Sequence, residues 1–248
     1  MFRLAKPGDF VNKFLSSGIR PDGRDSISTL RPATMRSGVI PESAGSAALR
    51  IGNTSIVAGV VLNTTFPRPE SKGKGFFQVT LQSPKLNRRE SSAMAQKVEE
   101  LLKPIISLDE LCIHLGKAVW HIHVSLVLLE EDGCLLDTCL LSSVCALKFL
   151  KLPSLDADLR AGGDTYPERT LTLKAHPATV TFCRVGNHWL PDCTREEECL
   201  ADARITFISY GNSVTIASSE GTLNSEQLAS TLLPLASKFI SDRHCLLA

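Results

Sequence analysis

Hydrophobic and polar positions alternate over long stretches of this chain and then give way to helical spacing, and each change of period marks an element. The longest alternation is "KAVWHIHVSLVLLEEDG", in which Ala118, Trp120, Ile122, Val124 and Leu126 face one way. Lys117, His121, His123 and Ser125 face the other, which predicts one long strand ending in an Asp132-Gly133 turn. Upstream, "GSAALRIGNTSIVAGVV" reads as two apolar strands joined by Gly52-Asn53, a hairpin signal. Residues 9–16, "DFVNKFLS", predict a short amphipathic helix with Asp9 as cap and Phe10 and Phe14 on one face. Met94, Val98, Leu101 and Leu102 form one stripe of a helix over Ser91 to Lys103, which Pro104 ends or kinks. "DTCLLSSVCALKFL" is apolar on nearly every side, as a helix buried against a sheet would be, with Asp137 or Thr138 as its expected cap.

Prolines, glycines, Lys72 and Lys74 make residues 63–75 a loop, and "KLPSLDADLRAGGDTYPERT" reads as the linker between two halves. In the second half, strands are expected at Thr170 to Lys174, at Thr179 to Val185 and around Trp189. "RITFISYGNSVTIAS" follows as a hairpin turning at Gly211-Asn212. A last helix starts near Ser225, with Leu228, Leu232 and Leu235 on one face and Pro234 bending it. Both halves combine strands and helices, so the fold class is α+β with one sheet layer and one helix layer per half.

Composition narrows the function classes. The chain has 248 residues, 43% hydrophobic and 21% charged, with a net charge of +1. No run approaches the roughly 18 apolar residues of a membrane span, and "MFRLAKPGDF" lacks an apolar signal core, so neither membrane insertion nor secretion is expected. Near-neutral charge predicts weak nucleic-acid affinity for the isolated chain and leaves room for a local basic patch. No two of the eight cysteines are separated by two residues, which favours reduced core thiols of an intracellular protein over disulfides or zinc.

Four clusters are candidates for chemistry. In "GIRPDGR", Pro21 and Gly23 suit a turn, and Asp22 lies within reach of Arg20 and Arg24. His121 and His123 share a strand face, but no third ligand is evident, so they read as a packed or solvated pair and no metal is expected. "PDCTREEECLAD" crowds Asp192, Glu196, Glu197, Glu198 and Asp202 into one segment, which could bind Mg²⁺, act as general acid or be a solvated loop. On the residues alone the solvated loop is favoured. Lys72, Lys74, Lys85, Arg88 and Arg89 fall within eighteen positions, a basic segment suited to RNA phosphates, while Phe76-Phe77 reads as core. No G-x-S-x-G or P-loop pattern occurs, and no cofactor is expected.

Taken in order, "RPDGR", "GSAALRIGNTSIVAGV", "LCIHLGKAVWHIHVSLVLLEEDG", the buried helix and "HP…PDCTREEE" resemble the ribonuclease PH family over about residues 10 to 245. The "LCI…GK.VW" and "PD.T.EEE" stretches are similar to the catalytically silent ring subunits of the eukaryotic RNA exosome. The resemblance implies an RNase PH-like fold of two ribosomal-protein-S5-like subdomains, at residues 19–160 and 161–248, after an N-terminal extension at 1–18. It implies a six-membered ring around an RNA channel, with other RNase PH-like subunits, S1/KH-domain cap subunits, an associated nuclease and single-stranded RNA as partners. It further implies residence in the nucleus, including the nucleolus, and the cytoplasm. Active members hold phosphate on a Gly-Thr-Arg run just after the Asp-Gly turn, where this chain has Cys134, Leu135 and Leu136. Two leucines cannot compensate a phosphate nucleophile. Asp192 and Glu198 keep the six-residue spacing of the family's paired aspartates. The expectation is a non-catalytic ring subunit with no catalytic residues, contacting RNA through Lys72, Lys74, Arg88 and Arg89. The alternative is a phosphorolytic 3′–5′ exoribonuclease, or half of a composite site. In this setting Arg20 and Arg24 are expected to form a structural joint lending positive charge near the ring, with direct RNA contact as the alternative.

Overall fold

The computed structural model describes residues 7–153, 169–211, 213–222 and 228–245. After a short helix α1 (Pro7–Ser16) come β1 (Ala33–Ser37) and the hairpin β2 (Gly45–Ile51) and β3 (Thr54–Thr65). Then follow β4 (Phe76–Gln82), α2 (Arg88–Leu102), β5 (Cys112–His114) and β6 (Ala118–Glu130). The first sheet has the order β1-β2-β3-β6-β4, with β5 also on β6. Among the described strands only β4 and β6 run parallel, and α2 makes the crossover that a parallel pair needs. The expected hairpin turns at Gly52-Asn53, with Ile51 opposite Thr54. Strand β3 runs on through Asn63–Thr65, past where its prolines were expected to start a loop, because β6 pairs with it as far as Val119.

Helix α3 (Leu135–Lys148) is the pivot of the packing. Every residue from Leu135 to Leu147 is buried, since one side lies on β2 and β3 while the other meets β9 (Ala178–Val185) of the second sheet. Its apolar-all-round sequence is explained by that double contact. It does not start on an Asp137 or Thr138 cap: Cys134 precedes it in a left-handed conformation, and both expected caps are buried inside the first turns. A short pair, β7 (Lys151–Leu152) with β8 (Arg169–Thr170), follows, and the core of the expected linker, residues 154–168, lies outside the described residues. The strand expected at Thr170 to Lys174 is reduced to this pair plus a single bridge from Leu173 to Ile106.

The second sheet runs β10-β9-β11-β12, with β10 at His188–Pro191, β11 at Ala203–Tyr210 and β12 at Ser213–Gly221. A one-and-a-half-turn helix α4 (Arg195–Cys199) sits between β10 and β11. Val180 and Phe182 of β9 and Ile205 and Phe207 of β11 pack beneath helix α5 (Leu233–His244), against Ala236, Phe239 and Ile240. Pro234 lies at the start of α5, after a π-turn at Leu228–Leu232, so it opens the α-helix rather than bending it. The expected helix start at Ser225 and the turn residue Asn212 lie outside the described residues. Val11 and Leu15 of α1 join Cys134, Cys183 and Cys193 in a third cluster that closes the junction of the halves. All eight cysteines are free, and five are buried.

At that junction Gly133 has φ of +80°, and a Cβ there would lie 2.3 Å from the Cys193 carbonyl oxygen. Gly133→Ala is therefore expected to destabilise the fold by roughly 3 kcal/mol, adding left-handed strain to a backbone clash. Urea denaturation against the parent chain measures it, and a loss below about 1 kcal/mol would mean that the turn relaxes freely.

Candidate functional site

The turn after β6 places the start of α3 against the segment that carries the clustered carboxylates. A helix N-terminus offers unpaired N–H groups and a partial positive charge, so it attracts anions. Here the anion is the chain's own: the Cys134 N–H donates to Glu198 Oε1 at 2.8 Å. Glu198 is offset by Arg204, 3.6 Å away. Burial raises its carboxyl above the usual range, against the opposing pull of Arg204 and the Cys134 N–H. Leu135 and Leu136 follow at once, and with Leu86 and Met94 they make an apolar lining for a cleft of about 370 Å³. The charged groups on this cleft are Glu90, Glu131, Glu198 and Glu220 against Lys97 and Arg204. Acidic groups outnumber basic ones on this cleft, and the helix terminus is already occupied by Glu198.

Asp137 points from the first turn of α3 into the second sheet, accepting from the Thr181 N–H at 2.8 Å and hydroxyl at 2.9 Å. Burial pushes its carboxyl up to about 6, against the pull of those hydrogen bonds. It ties the halves together and is not free for acid-base work.

Asp192 is held more firmly still. It sits at φ of +50° and is 3% exposed, so its charge must be met by partners rather than water. Arg31 supplies its backbone N–H at 2.7 Å, Nε at 3.0 Å and Nη2 at 2.7 Å, and Arg243 adds Nη2 at 2.9 Å. Burial raises the Asp192 carboxyl, but the charges and hydrogen bonds of Arg31 and the charge of Arg243 outweigh it and leave the group below the ordinary carboxylate range. Arg31 also donates to the Asp132 carbonyl in the β6–α3 turn. Asp192 is thus a structural carboxylate.

Next to it, Arg20 is fully buried and forks onto both carboxylate oxygens of Glu197, with Nη1 donating to the Pro191 carbonyl at 2.7 Å. Glu197 also closes the capping box of α4, accepting from the Thr194 N–H at 2.9 Å. The expected pairing with Asp22 holds for Arg24 only, at 2.7 Å. The acidic segment is likewise not a solvated loop, since Asp192 and Glu197 are buried because arginines from distant segments reach them. Nothing local in the sequence marked Arg31 and Arg243 as partners of Asp192, for they lie 161 and 51 residues away.

The basic residues are exposed but do not form one patch. Lys72 and Lys74 lie in the loop before β4, while Arg88 and Arg89 open α2 beyond its other end. Strand β4 separates the two pairs by about 20 Å at the rise of an extended chain. Cations at a helix N-terminus oppose its dipole, so Arg88 and Arg89 do not serve α2, which is capped by Asn87 and Glu90. His121 and His123 have ring centroids 6.4 Å apart, and His123 pairs with the Thr80 hydroxyl at 2.9 Å. Phe77 is buried as expected, and Phe76 is half-buried beneath the Arg68 guanidinium.

Comparison with known proteins gives one consistent family. Domain 1 of the 3′ exoribonuclease (RNase PH) family matches residues 29–153, and domain 2 matches residues 175–234. The Rrp42 component of the exosome complex of Methanopyrus kandleri is 32% identical, covering 90% of this chain and 89% of its own. That of Archaeoglobus fulgidus is 30% identical over 92% and 90%. Among solved structures, a chain of the Archaeoglobus fulgidus exosome with RNA bound to the active site superimposes with a TM-score of 0.84 at 26% identity, covering 100% of both chains. An archaeal exosome core chain gives 0.82 at 26% identity, over 97% of this chain and 96% of its own.

Asp192→Asn should destabilise the fold by about 3–5 kcal/mol at neutral pH, because two buried guanidinium groups lose their counter-charge. The folded carboxyl titrates below its unfolded value of about 3.9, so its contribution is complete above that value and lost as pH falls through the folded pKa. Urea titrations from neutral to acid pH should show the gap between parent and variant closing below about pH 4. A gap below about 1 kcal/mol at neutral pH would contradict a charge-balanced core.

Proposed function

We propose, from the premise that this chain belongs to the 3′ exoribonuclease (RNase PH) family, that it is a structural subunit of an exosome core ring and not a nuclease. The observation that carries this reading is Glu198 seated on the Cys134 N–H at the start of α3, with Leu135 and Leu136 beside it. By the family resemblance that position belongs to the phosphate nucleophile and its arginine. A carboxylate there excludes phosphate by charge as well as by position.

The ring role rests on the relatives, which include exosome complex components of comparable length and chains of assembled archaeal exosomes. One of those exosomes carries RNA, which supports RNA as the cargo of the channel. We assign this chain more finely to the eukaryotic ribosomal RNA-processing protein 43 type, supported by its "LCIHLGKAVW" and "PDCTREEE" stretches. Its partners are then the other RNase PH-like ring subunits, the S1/KH-domain caps and an associated nuclease that performs 3′–5′ RNA processing and degradation. The complex works in the nucleus, nucleolus and cytoplasm. Lys72, Lys74, Arg88 and Arg89 supply phosphate contacts.

The isolated chain should release no nucleoside diphosphate from single-stranded RNA in phosphate buffer. Glu198→Ala should not restore release, since no arginine replaces Leu136. Phosphate-dependent shortening that vanishes in Glu198→Gln would overturn the reading.

In the assembled complex, Arg88→Glu with Arg89→Glu should weaken RNA binding and flatten its salt dependence by roughly 0.7 per lost phosphate contact. Titrations at several salt concentrations measure both. Failure to assemble would make these arginines interface residues, and an unchanged slope would make them ordinary surface charge.

A further inference from the structure

The end of the first sheet that carries Lys72 and Lys74 also carries the most exposed aromatic side chain of the described residues. Phe66 is 83% exposed, directly after β3. A phenyl ring this exposed leaves its π-face open to a stacking partner. Phe66-Pro67-Arg68-Pro69 places a proline after each of two residues, which disfavours helical backbone at Phe66 and Arg68. Hydrogen bonds close the loop on itself and tie it to a neighbouring turn. Ser71 N–H donates to the Arg68 carbonyl at 3.0 Å, and Gly116 N–H donates to the Lys72 carbonyl at 3.0 Å. The second bond brings the Leu115–Lys117 turn alongside, with Leu115 77% exposed.

Charge then selects the partner. Arg68, Lys72, Lys74 and Lys117 are exposed at this end, against Glu70 in the same loop. None of those three lysines is ion-paired among the described residues, whereas Arg20, Arg24, Arg31 and Arg243 all face carboxylates. Unpaired cations at the same end of the sheet as an exposed aromatic ring match single-stranded nucleic acid, whose phosphates meet the cations while a base lies on the ring. We infer that Phe66 is a base-stacking platform for single-stranded RNA, with Lys72, Lys74 and Lys117 holding the flanking phosphates. The inference rests on the ring-subunit reading, and it differs from that reading in requiring a stacked base rather than charge alone.

The test uses the assembled complex purified through this chain and an oligoadenylate carrying one 2-aminopurine, moved along the strand. With the parent complex, one position should show quenching from stacking. Phe66→Ala should abolish that quenching and weaken binding about 5-fold or more with an unchanged salt slope, and Phe66→Trp should restore both. Lys72→Gln with Lys74→Gln should instead lower the slope by roughly 0.7 per contact. If Phe66→Ala binds and quenches as the parent does while the lysine pair lowers the slope, stacking is overturned and the channel reading stands. If neither variant changes binding, the inference falls together with the assignment of this end to RNA. If Phe66→Ala fails to assemble, the ring is a subunit contact and the inference is wrong.

Discussion

The Asp192 carboxylate, clamped between Arg31 and Arg243, is the interaction on which the two halves depend. Its partners come from the segment before β1 and from α5, and Arg31 reaches on to the β6–α3 turn. Desolvating these charges is costly, and an apolar cluster of the same volume would stabilise as well or better. What the ions add is geometry. An arginine fork fixes direction as well as distance, so the start of α3, the acidic segment and the last helix take one relative placement. Arg20 with Glu197 repeats the device a few residues away and anchors the PDGR turn to α4. That turn is a joint in the fold, and its two arginines are spent on carboxylates.

On the proposed reading, the same placement closes the position that the family resemblance gives to phosphate. Because α4 is held by Glu197, the next residue, Glu198, is delivered to the N-terminus of α3. Burial raises its carboxyl, yet the helix terminus and Arg204 hold it in place. On that reading, paired carboxylates at the family's spacing are no sign of retained chemistry. One is neutralised by two arginines, and the other acts as the anion that the helix would otherwise bind.

Periodicity made most of the scaffold legible. Strand β6, the β2–β3 hairpin and the all-round apolar α3 follow directly from which side of each element meets another layer. Readings failed where a distant residue decided the outcome. Asp137 looks like a cap locally, but the Thr181 N–H and hydroxyl draw it inward. "PDCTREEECLAD" looks solvated until Arg20 and Arg31 arrive from the N-terminal segment. Motif order carried the site's identity, because the absence of an arginine at Leu136 can be seen in one dimension. The seating of Glu198 on the Cys134 N–H cannot.

Arginine and lysine have divided labour on this chain, and the division follows from their chemistry. The buried cations, Arg20, Arg31 and Arg243, are arginines, which stay charged when desolvated and match a carboxylate with two parallel bonds. The unpaired cations at the Phe66 end are Lys72, Lys74 and Lys117, strongly hydrated point charges that pair with no particular geometry, together with Arg68, which lies over the Phe76 ring. Such charges can meet a phosphate backbone without fixing its register. Arginines are also exposed, Arg88 and Arg89 among them at the other end of β4, where a helix N-terminus offers them no stabilisation. Two separated points of positive charge, one at each end of a strand, suit a polymer that spans the subunit better than a ligand that fills a pocket.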